Sequence, residues 1–155
     1  MKFKFYLRLC THFLVATIFA FVLASLFHSQ FVMAELTKVG VDISLNDRLS
    51  MSLDDLLGLF PTYSVVVAVS FLIAFVVASI LIKRFKLTPT ILYSLSGGLG
   101  ITVALLAMHP ILESTLLAGA RSTFGFICQS LAGAMGGGVF SYLRNDYKNN
   151  NKSDN

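Results

Sequence analysis

The sequence is poor in charged residues and in cysteine. Charged residues make up 13% of its 155 residues, and it has two cysteines. Soluble domains typically carry about 25% charged residues, so the composition indicates a membrane protein. Cys10 lies at the inner end of the first predicted membrane span and Cys128 in the outer half of the fourth. They should not reach one another, so we expect no disulfide between them. The basic residues flank apolar runs instead of lining one face, which disfavours nucleic acid as a partner.

The apolar runs also lack ionisable residues near their middles. Proton-coupled transporters and ion pumps usually place a carboxylate or a cationic side chain there. His12 and His28 lie about 24 Å apart along one helix, so they cannot share a metal ion. The sequence shows no set of acid, base and nucleophile residues that would form a catalytic site. We therefore expect no enzymatic activity, no cofactor and no metal.

Four apolar runs have the length that a membrane-crossing helix needs. A bilayer core about 30 Å thick takes roughly 20 residues of helix. In lipid, an unpaired strand leaves its backbone groups unsatisfied, so even the β-branched second run favours helix. The runs cover residues 9–27, 63–82, 90–108 and 123–143. The sequence therefore predicts an all-α integral membrane protein built as a four-helix transmembrane bundle.

Positive charge falls on one side of these runs. Nine of the twelve lysines and arginines lie in residues 1–8, 83–89 and 144–155. Because basic flanks stay in the cytoplasm, both chain ends and the 83–89 loop are predicted to be cytoplasmic. Segments 35–62 and 109–122 are then external. This pattern indicates a multi-pass protein of a bacterial cytoplasmic membrane, and the polar tail 144–155 is expected to be disordered.

The first run has two interpretations. Its basic start, its apolar middle and the small residue Ala34 are compatible with a cleaved signal peptide that ends at residue 34. Against cleavage, the apolar stretch is near spanning length, and bulky Phe31 and Met33 precede the cleavage point. We favour a retained signal-anchor helix. The rest of the topology is the same in either case.

The external segment 35–62 contains a predicted amphipathic helix over residues 52–60. Ser52 can cap it, and two aspartates follow in its first turn, where the helix dipole favours anions. Its apolar face consists of Leu53, Leu56, Leu57 and Phe60. Pro61 is expected to prevent its continuation. We expect this helix to lie on the outer membrane interface or over the mouth of the bundle.

The second external segment carries a candidate polar cluster of His109, Glu113 and Arg121. A cation near the start of the fourth run opposes the helix dipole. An ion pair with Glu113 or with the aspartates of segment 35–62 is the simplest account, and an anionic lipid headgroup or ligand phosphate is the alternative. His28 could join His109 and Glu113 at a zinc site, although ordinary interfacial polar residues are the simpler interpretation.

Glycine is concentrated in the last two runs and the segment between them, since nine of the eleven glycines follow residue 96. Small residues let helices approach closely in lipid, which offsets the poor helix propensity of glycine. At 100° per residue, one stripe of the fourth run holds Gly125, Gln129, Gly133, Gly136 and Gly137. The third run carries Ser94, Gly98 and Thr102 at a spacing of four. These are the predicted helix-packing faces, and Gln129 is expected to hydrogen-bond across one of them.

These features favour a small non-enzymatic accessory or scaffold subunit. Its expected partners are the lipid bilayer and, through the small-residue faces, either a second copy or another membrane protein. The alternative function is a small oligomeric transporter or pore of the holin-like class.

Overall fold

Four α-helices make up the described part of the chain almost entirely. The computed structural model describes residues 2–38, 40, 42–108 and 123–153, and it contains no strand over those residues. The helices are α1 (Lys2–Lys38), α2 (Leu45–Phe85), α3 (Pro89–Met108) and α4 (Thr123–Ser153). Each contains a segment long and apolar enough to cross a membrane. The prediction of an all-helical chain with four candidate membrane spans is thereby confirmed.

The helices pack in a closed ring of neighbours, with α1 against α2, α2 against α3, α3 against α4, and α4 against α1. Helices α1 and α2 form a long antiparallel pair. Their contacts run from the Phe21 and Tyr63 rings, whose centroids are 6.2 Å apart, to the Ser29 hydroxyl, which donates to Asp55 at 2.8 Å. This pairing places the N-terminal half of α2 beside the C-terminal half of α1.

Aromatic rings fill the core on the side of the bundle where α3 begins. Phe75 stacks on Phe140 with centroids 4.6 Å apart, and Tyr93 meets both rings edge-on at 5.5 and 5.1 Å. These rings come from α2, α3 and α4, and Phe13 of α1 packs edge-on against Phe75. Aromatic pairs in this geometry contribute about 0.5–1.5 kcal/mol beyond their burial. All four helices are therefore joined through one cluster.

The predicted separate helix over residues 52–60 is wrong, because α2 runs without interruption from Leu45 through Pro61. Its N-cap is Ser44, which forms a capping box with Asp47, and Ser52 lies inside the helix. A proline costs the helix one backbone hydrogen bond. Phe21 of α1 packs against both Phe60 and Tyr63, on the two sides of that proline, and so bridges the two halves of α2.

The tail is also more regular than expected. Helix α4 does not end near residue 143 but continues to Ser153. No glycine or proline occurs after Gly138, so the tail has no helix breaker. An existing helix extends at far lower cost than a new one nucleates. The expectation of a disordered tail over 144–153 is therefore wrong for this structure.

Candidate functional site: the glycine-lined interior of the bundle

The closest approach of two backbones lies between α3 and α4. A Cβ atom added to Gly133 would lie 2.6 Å from the carbonyl oxygen of Gly97, and one added to Gly97 would overlap the carbonyl of Gly133. One turn away, a Cβ on Gly137 would overlap the carbonyl of Tyr93. At these three positions only glycine leaves room for the neighbouring backbone. Backbone contact of this kind is how small residues stabilise helix pairs in lipid.

Gly136 faces a different pair of neighbours. A Cβ atom there would lie 2.7 Å from the Cβ of Ala20 on α1 and 2.8 Å from Cζ of Phe71 on α2. The adjacent glycines Gly136 and Gly137 therefore serve separate contacts, the first with α1 and α2 and the second with α3. This arrangement lets α4 pack against the other three helices at one level of the bundle.

The predicted stripe of α3 also lies against α4. A Cβ on Gly98 would lie 3.1 Å from the carbonyl oxygen of Ser130, and the hydroxyls of Thr102 and Ser130 are 2.8 Å apart. Ser94 lies across from Gly138, with its Oγ 3.1 Å from a Cβ placed there. The tightest crossing nevertheless uses Gly97, which the sequence reasoning missed. Its position in the buried four-residue repeat Tyr93, Gly97, Ile101 and Leu105 is the signal that could have found it.

Gln129 joins three helices through its buried amide. Its Nε2 donates to the carbonyl oxygen of Ala24 on α1 at 2.9 Å, and its Oε1 accepts from the hydroxyl of Tyr63 on α2 at 2.9 Å. Both the amide and the phenol are buried. Each bond thus satisfies a group that would otherwise be costly to bury. Tyr63 was not singled out in the sequence, although a tyrosine within an apolar run needs a partner for its hydroxyl. Gly125, one turn before Gln129, is buried as well.

A second polar chain lies at the end of the bundle where α3 begins. Arg144 donates to the hydroxyl of Tyr93 and its guanidinium lies 5.5 Å from the centre of that ring. The Tyr93 hydroxyl lies 2.8 Å from Oγ of Ser79, which in turn donates to the carbonyl of Phe75. Arg144 therefore does more than flank an apolar run. Its guanidinium anchors the C-terminal part of α4 to α2 and α3 through an aromatic ring.

A third polar group occupies the opposite half, between α1 and α2. His28 and Ser25 are buried, and within the described ranges neither the Nδ1 of the imidazole nor the Oγ of the serine has a hydrogen-bond partner. The hydroxyl of Ser29 lies within hydrogen-bond distance of a carboxylate oxygen of Asp55 and of the carbonyl of Ser25. The Ser29–Asp55 hydrogen bond joins the C-terminal half of α1 to the N-terminal half of α2.

The glycine faces do not remain open for another subunit. Gly133, Gly136 and Gly137 are buried inside a single chain, where α1, α2 and α3 cover them. The interpretation of this face of α4 as a contact with a partner therefore needs correction. The chain itself supplies the helices that small residues require, because its four spans close into one ring.

The predicted external polar cluster of His109, Glu113 and Arg121 lies outside the described residues. Over the parts of the chain that are described, no group of three His, Cys, Asp or Glu side chains could hold a metal ion. Lys38 and Glu35 form a salt bridge on the surface of α1.

The arrangement as a whole is a packed interior, crossed by hydrogen bonds that link each helix to its neighbours. Its chemistry is that of helix association in lipid. No protein-family model, curated protein or solved structure matches this chain.

Proposed function

We propose that this chain is a non-enzymatic accessory or scaffold subunit of a bacterial cytoplasmic membrane. In this proposal both chain ends and the 83–89 loop are cytoplasmic. Four helices of spanning length support the membrane location. Nine of twelve basic residues on one side of the spans support the orientation.

The proposal of a non-transport role rests on the filled interior of the bundle. The centre of the bundle is occupied by the stacked rings of Phe75 and Phe140, by Tyr93 and by the glycine–backbone crossings. The buried polar side chains among the described residues are serine, threonine, glutamine and histidine, with no Asp, Glu, Lys or Arg. An ion pump or proton-coupled transporter usually works through such an intramembrane charge.

We also propose that α1 is retained as a signal-anchor and is not removed as a signal peptide. It supplies Ala20 against Gly136 and the carbonyl of Ala24 to Gln129. Cleavage after Ala34 would uncover both contacts. It would leave the Gln129 amide without its acceptor in the middle of a span, where unsatisfied polar groups are costly.

Purification and reconstitution test the proposed function. The full chain would be purified in mild detergent, co-purifying chains would be identified by mass spectrometry, and the protein would be placed in liposomes loaded with a self-quenching dye. An accessory subunit is expected to co-purify with a foreign membrane protein in fixed stoichiometry and to leave the liposomes sealed. A homo-oligomer that releases the dye, as a control pore-forming peptide does, would overturn the proposal in favour of the pore.

A further inference from the structure

The N-terminal half of α2 carries an exposed apolar stripe. It consists of Leu45, Leu49, Leu53, Leu57 and Phe60, and we call it the leucine stripe. Its members are between 55% and 81% exposed. Adjacent members are separated by three or four residues, so they share one side of the helix. Helix α1 packs beside this half of α2, through Ser29 and Asp55 and through the Phe21 ring, which meets one side of Phe60. The four leucines of the stripe stay mostly exposed.

The leucine stripe continues the buried face of the same helix. The buried residues of α2 are Tyr63, Val67, Phe71, Phe75 and Ala78. Each lies 18 residues after one member of the stripe in turn, which is about five full turns of an α-helix. The two sets therefore point in the same direction from one continuous helix. In the second half of α2 the other helices cover this face. In the first half Phe21 meets Phe60, and the four leucines remain mostly exposed among the described residues.

Lipid cannot cover the whole stripe. Helix α2 has 41 residues and is therefore about 60 Å long, whereas a bilayer with its headgroups is about 40–45 Å thick. Lys83 and Arg84, in its last turn, mark the cytoplasmic surface in the proposed orientation. Residues 63–82 then fill the hydrocarbon core, and Leu45, Leu49 and Leu53 project beyond the outer headgroups. Exposed apolar surface of this extent in water marks an interaction site.

Charge on the same projection indicates the kind of partner. Segment 35–62 holds five acidic and two basic residues. Asp47 and Asp54, between the leucines in sequence, are both exposed. A second copy would bring the same acidic surface against itself, which electrostatic complementarity disfavours. A partner with lysine or arginine beside its apolar residues would meet these aspartates favourably.

We propose that the leucine stripe is the docking surface for an amphipathic helix of a different protein, one whose apolar face is bordered by basic residues. Helices already cover the buried side of the second half of α2, so a helix can cover the leucine stripe in the same way. Amphipathic helices that bind in grooves also use apolar anchors three or four residues apart. The proposal rests on the proposed accessory function and orientation. It places the contact with the partner on α2, outside the membrane, since the glycine faces are filled within the chain.

Site-specific photocrosslinking tests the proposal in native cells with the full-length chain. A photoreactive amino acid would replace Leu53 in one variant and Gly58 in a control. Gly58 is exposed on the same segment, about 160° around the helix from the centre of the stripe and beyond its acidic border. No described atom lies within 4 Å of a Cβ added there. We expect the crosslinker at residue 53 to capture one foreign chain at least about tenfold more efficiently than the control. Peptide mapping should place the link in an apolar helix flanked by lysine or arginine.

Three crosslinking results would overturn the proposal: an adduct of twice the chain mass, a link within the chain to segment 109–122, or capture of lipid alone. These results would show that the leucine stripe contacts a second copy, segment 109–122 of the same chain, or lipid, respectively.

Matched variants separate this proposal from the proposed function. Leu53→Glu should reduce recovery of the foreign chain by about tenfold or more, as expected for losing one buried leucine anchor, while Gly58→Glu should not. Asp54→Lys should weaken recovery and Asp54→Asn should weaken it less. If a foreign subunit co-purifies equally with Leu53→Glu and wild type, the docking surface is wrong and the accessory function stands. If no foreign subunit is recovered from wild type, both proposals fail.

Discussion

Replacing Gly137 with alanine should destabilise the bundle, although alanine is the better helix former. Intrinsic propensity alone favours the substitution by about 0.8–1 kcal/mol. The new Cβ, however, would overlap the Tyr93 carbonyl and lie 3.0 Å from Cα of Ser94. Carbon atoms in van der Waals contact prefer about 3.5–4.0 Å, and these neighbours are backbone atoms that cannot rotate away. Helices α3 and α4 must therefore move apart.

The size of the effect follows from two opposing contributions. Overpacking a tight contact costs about 1–3 kcal/mol, and separation at Gly137 also loosens the crossing of Gly97 and Gly133 one turn away. Because the overlapped atoms are backbone, the cost should lie in the upper part of that range, at about 2–3 kcal/mol, which leaves a net loss of about 1–2 kcal/mol after the gain in propensity. At Gly138 an added Cβ meets only the Ser94 hydroxyl, at 3.1 Å. That hydroxyl can change rotamer, so Gly138→Ala should range from neutral to about 1 kcal/mol more stable.

The assay is the free energy of unfolding of each variant in mild detergent, titrated with a denaturing detergent and followed by circular dichroism. Gly58→Ala on the exposed half of α2, where an added Cβ meets nothing within 4 Å, calibrates the propensity contribution in the same protein. The expected order of stability places Gly138→Ala and Gly58→Ala at or above wild type and Gly137→Ala below it. Equal stability of the Gly137 and Gly138 variants would refute the close contact of α3 and α4.

Three further outcomes are expected. Gln129→Leu should lower the free energy of unfolding by about 1–2 kcal/mol. Tyr63→Phe should lower it less in the Gln129→Leu background than in wild type. Equal losses in the two backgrounds of this double-mutant cycle would contradict the hydrogen bond between the two side chains. Reporter fusions should behave as cytoplasmic at Lys86 and external at Asp47, and an external signal at Lys86 would invert the proposed orientation. The intact mass of the purified protein should correspond to a chain that retains the residues before Ala34. A mass that corresponds to a chain beginning after Ala34 would show that α1 is removed.

The four spans could be predicted from the sequence because span length is a one-dimensional property. A run such as residues 63–82 must form a helix in lipid whatever lies beside it, since its backbone has no other hydrogen-bond partners. The enrichment of glycine in the third and fourth runs likewise pointed to helix packing without reference to any neighbour. In each case the sequence pattern carries the physical constraint by itself.

The partners of these residues could not be predicted in the same way. Gly97 and Gly98 are equally small, and the choice of Gly97 for the tightest contact depends on the rotation of α3 against α4. The Tyr63 hydroxyl meets the Gln129 amide, 66 residues away, because α2 and α4 pack around α1. A pattern within one helix holds no information about the register of the next.

Local hydrophobicity and the cost of burying unpaired backbone groups in lipid are enough to predict that the chain is helical, apolar and able to cross a membrane four times. The continuation of α2 through Pro61 depends instead on contacts between helices, because Phe21 of α1 packs on both sides of that proline. Tertiary packing also decided that Gly136 and Gly137 face different helices, while the leucine stripe extends past the cover of α3 and α4. Which faces are filled and which stay open depends on where the neighbouring helices end, and this relation between helices is set by packing in three dimensions.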